Sequence, residues 1–110
     1  MNLNQPQRWE VWLANVKFED SNEVKTRPVI VTENKNVYVL CYKVTGQPPK
    51  TYLQGEYEIV EWKAAGLDTL STVRLSQQIK LLPDKFIRKL GNLKTKDIMG
   101  IKLSIMSMTP

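Results

Sequence analysis

The stretch Asn22–Asn34, NEVKTRPVIVTEN, decides how this chain is read. Val29, Ile30, Val31 and Thr32 are all β-branched, which favours a strand. The near absence of polar alternation predicts burial on both faces over Val29–Thr32. Arg27-Pro28 opens that run. A residue before proline is driven to extended backbone, and proline donates no hydrogen bond. Arg27 is therefore expected at the mouth of the strand, directly after a polar, charged loop. A guanidinium on a rigid edge suits anion recognition, and equally an ordinary surface ion pair.

Working outward, four more segments read as strands: Glu10–Phe18, Val37–Thr45, Tyr57–Glu61 and Thr72–Leu82. In the last, Val73, Leu75, Ile79 and Leu81 alternate with Arg74, Ser76, Gln78 and Lys80, the pattern of a half-buried strand. Five closely spaced strands without long intervening helices predict a compact antiparallel barrel. Two C-terminal helices complete the expected fold, which is mainly β. Pro83 suits a first helical position, with Asp84 in the first turn and Gly91 as the C-cap. Thr95 is the expected N-cap of a helix reaching about Met108, with Asp97 in its first turn. Ile98, Ile101, Ile105 and Met108 form one stripe on it, widened by Met99, Leu103 and Met106. The wider face either clamps over the barrel or meets a second subunit, for which adaptable methionines are suited.

A chain of 110 residues, 42% of them hydrophobic, reads as a single domain over residues 1–110. At that size about 65% of the unfolded surface can be buried. No apolar run reaches the ~20 residues of a membrane span. Met1–Gln7 is polar without a signal-peptide core, and Cys41 is the sole cysteine, so a cytoplasmic protein with no membrane association is expected. Sixteen Lys and Arg against eleven Asp and Glu give a net charge of +5, which favours nucleic acid or an acidic protein as partner. The chain has no histidine. Imidazole acid–base catalysis, Ser-His-Asp triads and His-ligated metals are thereby excluded. With a single cysteine and no glycine-rich phosphate loop, no metal site and no cofactor is expected. An enzyme built from this composition works with Arg, Lys, carboxylates and hydroxyls.

An ordered set of motifs resembles the MazF/PemK (Kid-like) toxins of type II toxin–antitoxin systems. RWEVWLANV, Arg8–Val16, is similar to the family's opening strand, and KTRPVIVTEN to its Arg-Pro strand. YKVTG stands where a family strand ends in threonine. AGLDTLSTVRLSQQIKLL, DKFIRKLGNL and KDIMGIKLSI follow the closing landmarks. The resemblance covers nearly the whole chain. It implies a small Src-homology-3-like barrel acting as a homodimer, a metal-independent endoribonuclease on single-stranded RNA, and a cognate antitoxin with an acidic disordered tail. It places the family's functional arginine on Arg27, its strand-end threonine on Thr45 and its loop serine on Ser21. Trp9 stands in place of the family's glycine, Asn22 in place of a frequent glutamate, and Gly46 in place of a small hydroxyl residue.

Cleaving RNA without imidazole or metal has one accessible route: the substrate's own 2′-OH attacks the phosphodiester, leaving a 2′,3′-cyclic phosphate and a 5′-OH. Arg27 would hold the non-bridging oxygens and Thr45 would donate its hydroxyl to the same group. Glu23, next to Asn22, is the candidate base, or with its neighbours simply solubilises the loop. Lys17, Lys25, Lys43 and Lys50 are candidate phosphate contacts or plain surface lysines. Trp9 either stacks on a base or packs in the core. The same barrel could instead serve as a non-catalytic RNA- or protein-binding module, or as a gyrase-directed toxin.

Overall fold

The computed structural model describes residues 5–17, 23–49 and 55–108. Its strands are β1 (Glu10–Lys17), β2 (Val24–Asn34), β3 (Val39–Thr45), β4 (Glu56–Glu58), β5 (Thr72–Leu81) and β6 (Phe86–Asn92). One helix, α1 (Thr95–Met108), follows. The strands form a single antiparallel sheet in the order β4-β5-β3-β2-β1-β6. The mainly β expectation holds. The ladder does not close on itself, since β4 and β6 are the two edges, so "barrel" describes curvature only.

The sheet is buried on both faces around its centre. Val11, Ile30, Val44, Val73 and Leu75 join Ile59, Leu67, Leu93 and Ile101 in one core. Trp12, Ala14, Val16, Val29, Val31, Val39 and Cys41 form the other. Val29, Ile30 and Val31 are fully buried, as their unbroken apolar run requires. Burial also pushes the Cys41 thiol up to about 12.

The helix expected after Pro83 is a correction. Pro83–Lys85 make a single 3₁₀ turn, after which the chain becomes β6 and pairs with β1. Proline and Asp84 do start a turn, but the outer edge of β1 presents backbone donors and acceptors that only a strand can satisfy. Phe86 then meets Trp12 edge-on, with ring centroids 5.9 Å apart. Glu10 ties the same two strands together. Its carboxylate accepts from the Trp12 indole at 2.8 Å and stands 3.0 Å from the Lys89 ammonium. Gly91 is not a helix cap. It lies so close to the backbone of Ala65 and Gly66 that a Cβ would collide, and Gly66 itself sits at φ +92°.

The expected strand at Tyr57–Glu61 is shorter, because the chain turns away after Glu58. What holds the turn is Asp97, fully buried in the first turn of α1. Its carboxylate accepts from the Tyr57 hydroxyl at 2.7 Å and from the Val60 and Glu61 N–H groups at 2.8 and 2.9 Å. Burial, the hydrogen bond and the Asp97 charge all raise the Tyr57 pKa. The Tyr57 ring reaches Asp97 across Gly100, where a Cβ would strike the ring. Helix α1 begins at Thr95, and Lys94 rather than Thr95 holds the cap position, since the Lys94 carbonyl accepts the first helical bond from Ile98. Ile98, Ile101 and Ile105 pack on the first core, while Met99, Leu103 and Met106 are exposed.

Candidate nucleic-acid interface

Strand β2 is longer than its apolar run. From Val24 to Pro28 it pairs with β1 alone, and pairing with β3 begins only at Val29. Proline is tolerated at position 28 because that half of the strand has one neighbour, so a missing donor costs no second ladder. Arg27 therefore sits on an arm of β2 that only β1 flanks, opposite Ala14, rather than at a strand mouth. It is exposed, and its Nη1 donates to the Thr26 carbonyl at 3.2 Å.

Thr45 is the last residue of β3, half-buried and paired with Thr72 of β5. Its Oγ1 accepts from the Gln47 N–H at 3.3 Å, which orients the hydroxyl at the head of the following turn. Arg27 and Thr45 line one groove of about 940 Å³. Lys43 lines it too, and so do three residues that sequence reasoning passed over: Arg74, Arg88 and Gln77. Arg74 carried a signal, because it occupies a polar position of an alternating strand. Arg88 was hidden by the helix expectation. Gln77 reaches the groove through an irregularity in β5. The register jumps from Tyr42↔Gln78 to Lys43↔Arg74, leaving Leu75, Ser76 and Gln77 without partners on β3.

The groove's charge is positive. Four cations line it, Arg27, Lys43, Arg74 and Arg88, against the single carboxylate of Asp68 among the described residues. The Arg74 Nε is buried and makes no hydrogen bond there, with the largely buried Glu56 carboxylate 3.6 Å away as its ion-pair partner. Such a surface attracts a polyanion before any specific contact forms.

The remaining expected residues fall elsewhere. Glu23 precedes β2 and faces Lys25 at 3.7 Å, and neither lines the groove. Lys17 ends β1, exposed, on the same arm. Ser21 and Lys50 lie outside the described residues, as do Glu19, Asp20 and Asn22. Trp9 lies at a second groove that shares no lining residue with the first. Its backbone holds φ +69°, a conformation that explains glycine in the family's pattern and that strains tryptophan. Hydrogen bonds on both sides hold it there, from its N–H to Val31 O at 2.7 Å and from Leu93 N–H to its carbonyl at 2.9 Å. Among the described residues no three His, Cys, Asp or Glu side chains cluster as metal ligands. No helix there is long and apolar enough to cross a membrane.

The family model of PemK-like, MazF-like toxins of type II toxin–antitoxin systems matches residues 7–109. The chain belongs to this family. Its fold is also that of solved family structures. An endoribonuclease from a mycobacterial species superposes with a TM-score of 0.71 at 12% identity, over 97% of this chain and 93% of that one. An endoribonuclease from a mycobacterial species in complex with its cognate antitoxin gives 0.70 at 13% identity, over 96% and 97%. Mycobacterium tuberculosis toxin MazF-mt6 gives 0.66 at 16% identity, over 89% and 93%. At these identities the likeness is one of fold. No curated protein matches the sequence.

Proposed function

We propose that the chain is an endoribonuclease that cuts single-stranded RNA through the substrate's 2′-OH, without a metal, and that a cognate antitoxin restrains it. The observation that carries this reading is the convergence of Arg27 and Thr45 on one cationic groove from different strands. Membership of a toxin family and a fold shared with solved endoribonucleases, one of them bound to its antitoxin, support it.

The chemistry divides simply. The 2′-hydroxyl gives up its proton to a base as its oxygen attacks phosphorus, the P–O5′ bond breaks, and the 5′-oxygen takes up a proton to leave as a hydroxyl. The nucleophile belongs to the substrate, so the protein's task is to orient it and to stabilise charge on the phosphoryl oxygens. The Arg27 fork matches two such oxygens. Thr45 offers a hydroxyl whose rotamers are few. Arg74, Arg88 and Lys43 hold flanking phosphates. Arginine stays protonated at neutral pH, so the neutral guanidine that could take a proton is scarcely populated. Proton transfer therefore falls to a carboxylate: Asp68, which lines the groove, or Glu23, which immediately precedes β2. Homodimeric assembly and a cytoplasmic location complete the reading, and sedimentation of the purified protein tests the first.

The experiment incubates the protein with single-stranded RNA in EDTA and analyses fragment ends. Cyclic phosphates are expected from the wild type and not from Arg27→Ala, and Asp68→Asn against Glu23→Gln assigns the base. RNA that is bound but left intact would replace the nuclease with a binding module.

A further inference from the structure

Glu56 takes no part in the chemistry above, yet its side chain is only 5% exposed in the short edge strand β4. A carboxylate is costly to hold out of water. What it meets there is Arg74, its ladder partner on β5, whose Nε lies 3.6 Å from Glu56 Oε2. An ion pair so placed is weak evidence for stability, because apolar residues of similar size often serve a fold as well. Nor is the pair closed, since the Arg74 Nε is buried and donates no hydrogen bond. The Arg74 side chain nevertheless keeps 30% of its surface accessible and lines the Arg27 groove. With Nε shut in beside Glu56, the groove is met by the outer edge of the fork, whose paired N–H groups match two phosphate oxygens.

The strand register says which phosphate. Val29, Lys43, Arg74 and Glu56 form one row across β2, β3, β5 and β4. Directly paired residues present their side chains on the same face. Two residues along each strand, on one side of that row, stand Arg27 on β2 and Thr45 with its partner Thr72 on β3 and β5. Residues two apart share a face, and the step between them is about 7 Å. That step is close to the spacing of consecutive phosphates on an extended single strand of RNA. A phosphate held by Arg27 and Thr45 therefore leaves its neighbour at the Lys43–Arg74 row. Immediately after Arg74 the ladder to β3 breaks, with Leu75, Ser76 and Gln77 unpaired on that side, so the row ends the ordered stretch of β5 that flanks the site.

We propose that Glu56 is a positioning residue: it fixes Arg74 so that the guanidinium fork grips the phosphate next to the one held by Arg27 and Thr45. The assignment rests on RNA as the ligand of the groove. It gives the flanking contact a defined place and a defined support, and makes two consecutive phosphates the unit that the site recognises. Bulk electrostatics predicts the opposite sign for Glu56, since removing a negative charge beside a cationic groove should tighten the hold on a polyanion.

The probe is a short fluorescein-labelled single-stranded RNA, 2′-O-methylated so that it cannot be cut, with anisotropy as readout. Arg74→Gln should weaken binding about tenfold. Glu56→Gln should also weaken it, by a smaller factor, and should add nothing in the Arg74→Gln background. Arg74→Lys, which keeps the charge and loses the fork, should fall between wild type and Arg74→Gln. Replacing one phosphate at a time by a neutral methylphosphonate then locates the contacts. Two consecutive positions should be sensitive in the wild type, one losing its sensitivity in Arg27→Ala and its neighbour in Arg74→Gln. Circular dichroism confirms that each variant is folded. The proposal is overturned if Glu56→Gln binds as tightly as wild type or tighter, if the Glu56 and Arg74 losses add, or if Arg74→Lys matches wild type. An Arg74 effect spread evenly over all phosphates would overturn it as well. None of these measurements needs cleavage. A protein that shows this pattern and leaves unmodified RNA intact keeps the Glu56–Arg74 subsite and loses the nuclease, whereas cleavage with binding indifferent to Glu56→Gln does the reverse.

Discussion

Asp97 and Arg27 are both charged side chains on regular elements, and their surroundings give them opposite uses. Asp97 is shut inside, where two N–H groups and a hydroxyl, all from the Tyr57–Glu61 segment, meet its carboxylate within 2.9 Å. Arg27 is exposed on the arm of β2 that only β1 flanks, and other cations line the same groove. A buried charge with a complete set of donors stabilises one geometry. A groove lined by four cations and one carboxylate does the reverse, presenting a positive surface that favours an external anion. The first site belongs to folding, and the second is the one proposed for binding.

That contrast can be broken by substitution. Asp97→Ala should cost about 4 kcal/mol, because three donors lose a buried acceptor at once. Urea unfolding measures the loss, and a cost below about 1 kcal/mol would mean that water replaces the carboxylate. Arg27→Ala should leave stability within about 0.5 kcal/mol of wild type. RNA cleavage by the same variant should slow at least ~100-fold, the ~3 kcal/mol of a lost transition-state donor. Near-normal rates would remove Arg27 from the chemistry. Gly100→Ala should destabilise by about 2 kcal/mol despite alanine's better helix propensity, since the new methyl displaces the Tyr57 ring from Asp97. A more stable variant would show that the ring shifts freely.

The smallest effect is a pH dependence. Burial alone would raise the Glu10 pKa, but hydrogen bonds from Trp12, Gln7 and Lys89, with the Lys89 charge, hold it below the ordinary 4.5. A depressed folded-state value means the contribution is complete above that ordinary value and fades as pH falls through the folded one. Wild type should thus exceed Glu10→Gln in stability near neutrality, with the gap closing under acid. A gap independent of pH would show that the carboxylate's charge is not what joins β1 to β6.

How far each site could be read in advance follows from the same contrast. Arg27 was legible because Arg-Pro before an apolar run is a local signal. Its arm was not, since the extent of β2 beyond Arg27 depends on β1 pairing there while β3 does not. Asp97 read only as a first-turn acid, because nothing in KDIMGIKL announces the Tyr57–Glu61 segment. Arg88 disappeared into an expected helix whose start signals, Pro83 and Asp84, were used for one turn only. Trp9 registered as a departure from a family glycine, and its left-handed backbone gives that departure a physical meaning.

By itself the sequence determined the doubly buried strand Val29–Val31, the amphipathic final helix and a chemistry without imidazole. These depend on side-chain type and short-range periodicity, which the chain carries locally. Only the tertiary structure decided that Phe86–Asn92 is a strand, that Asp97 closes the turn after β4, and that Arg27, Thr45, Arg74 and Arg88 face one groove. Each depends on which backbone edge lies unpaired or which segment lies alongside, and the strand order sets those distances rather than separation along the chain.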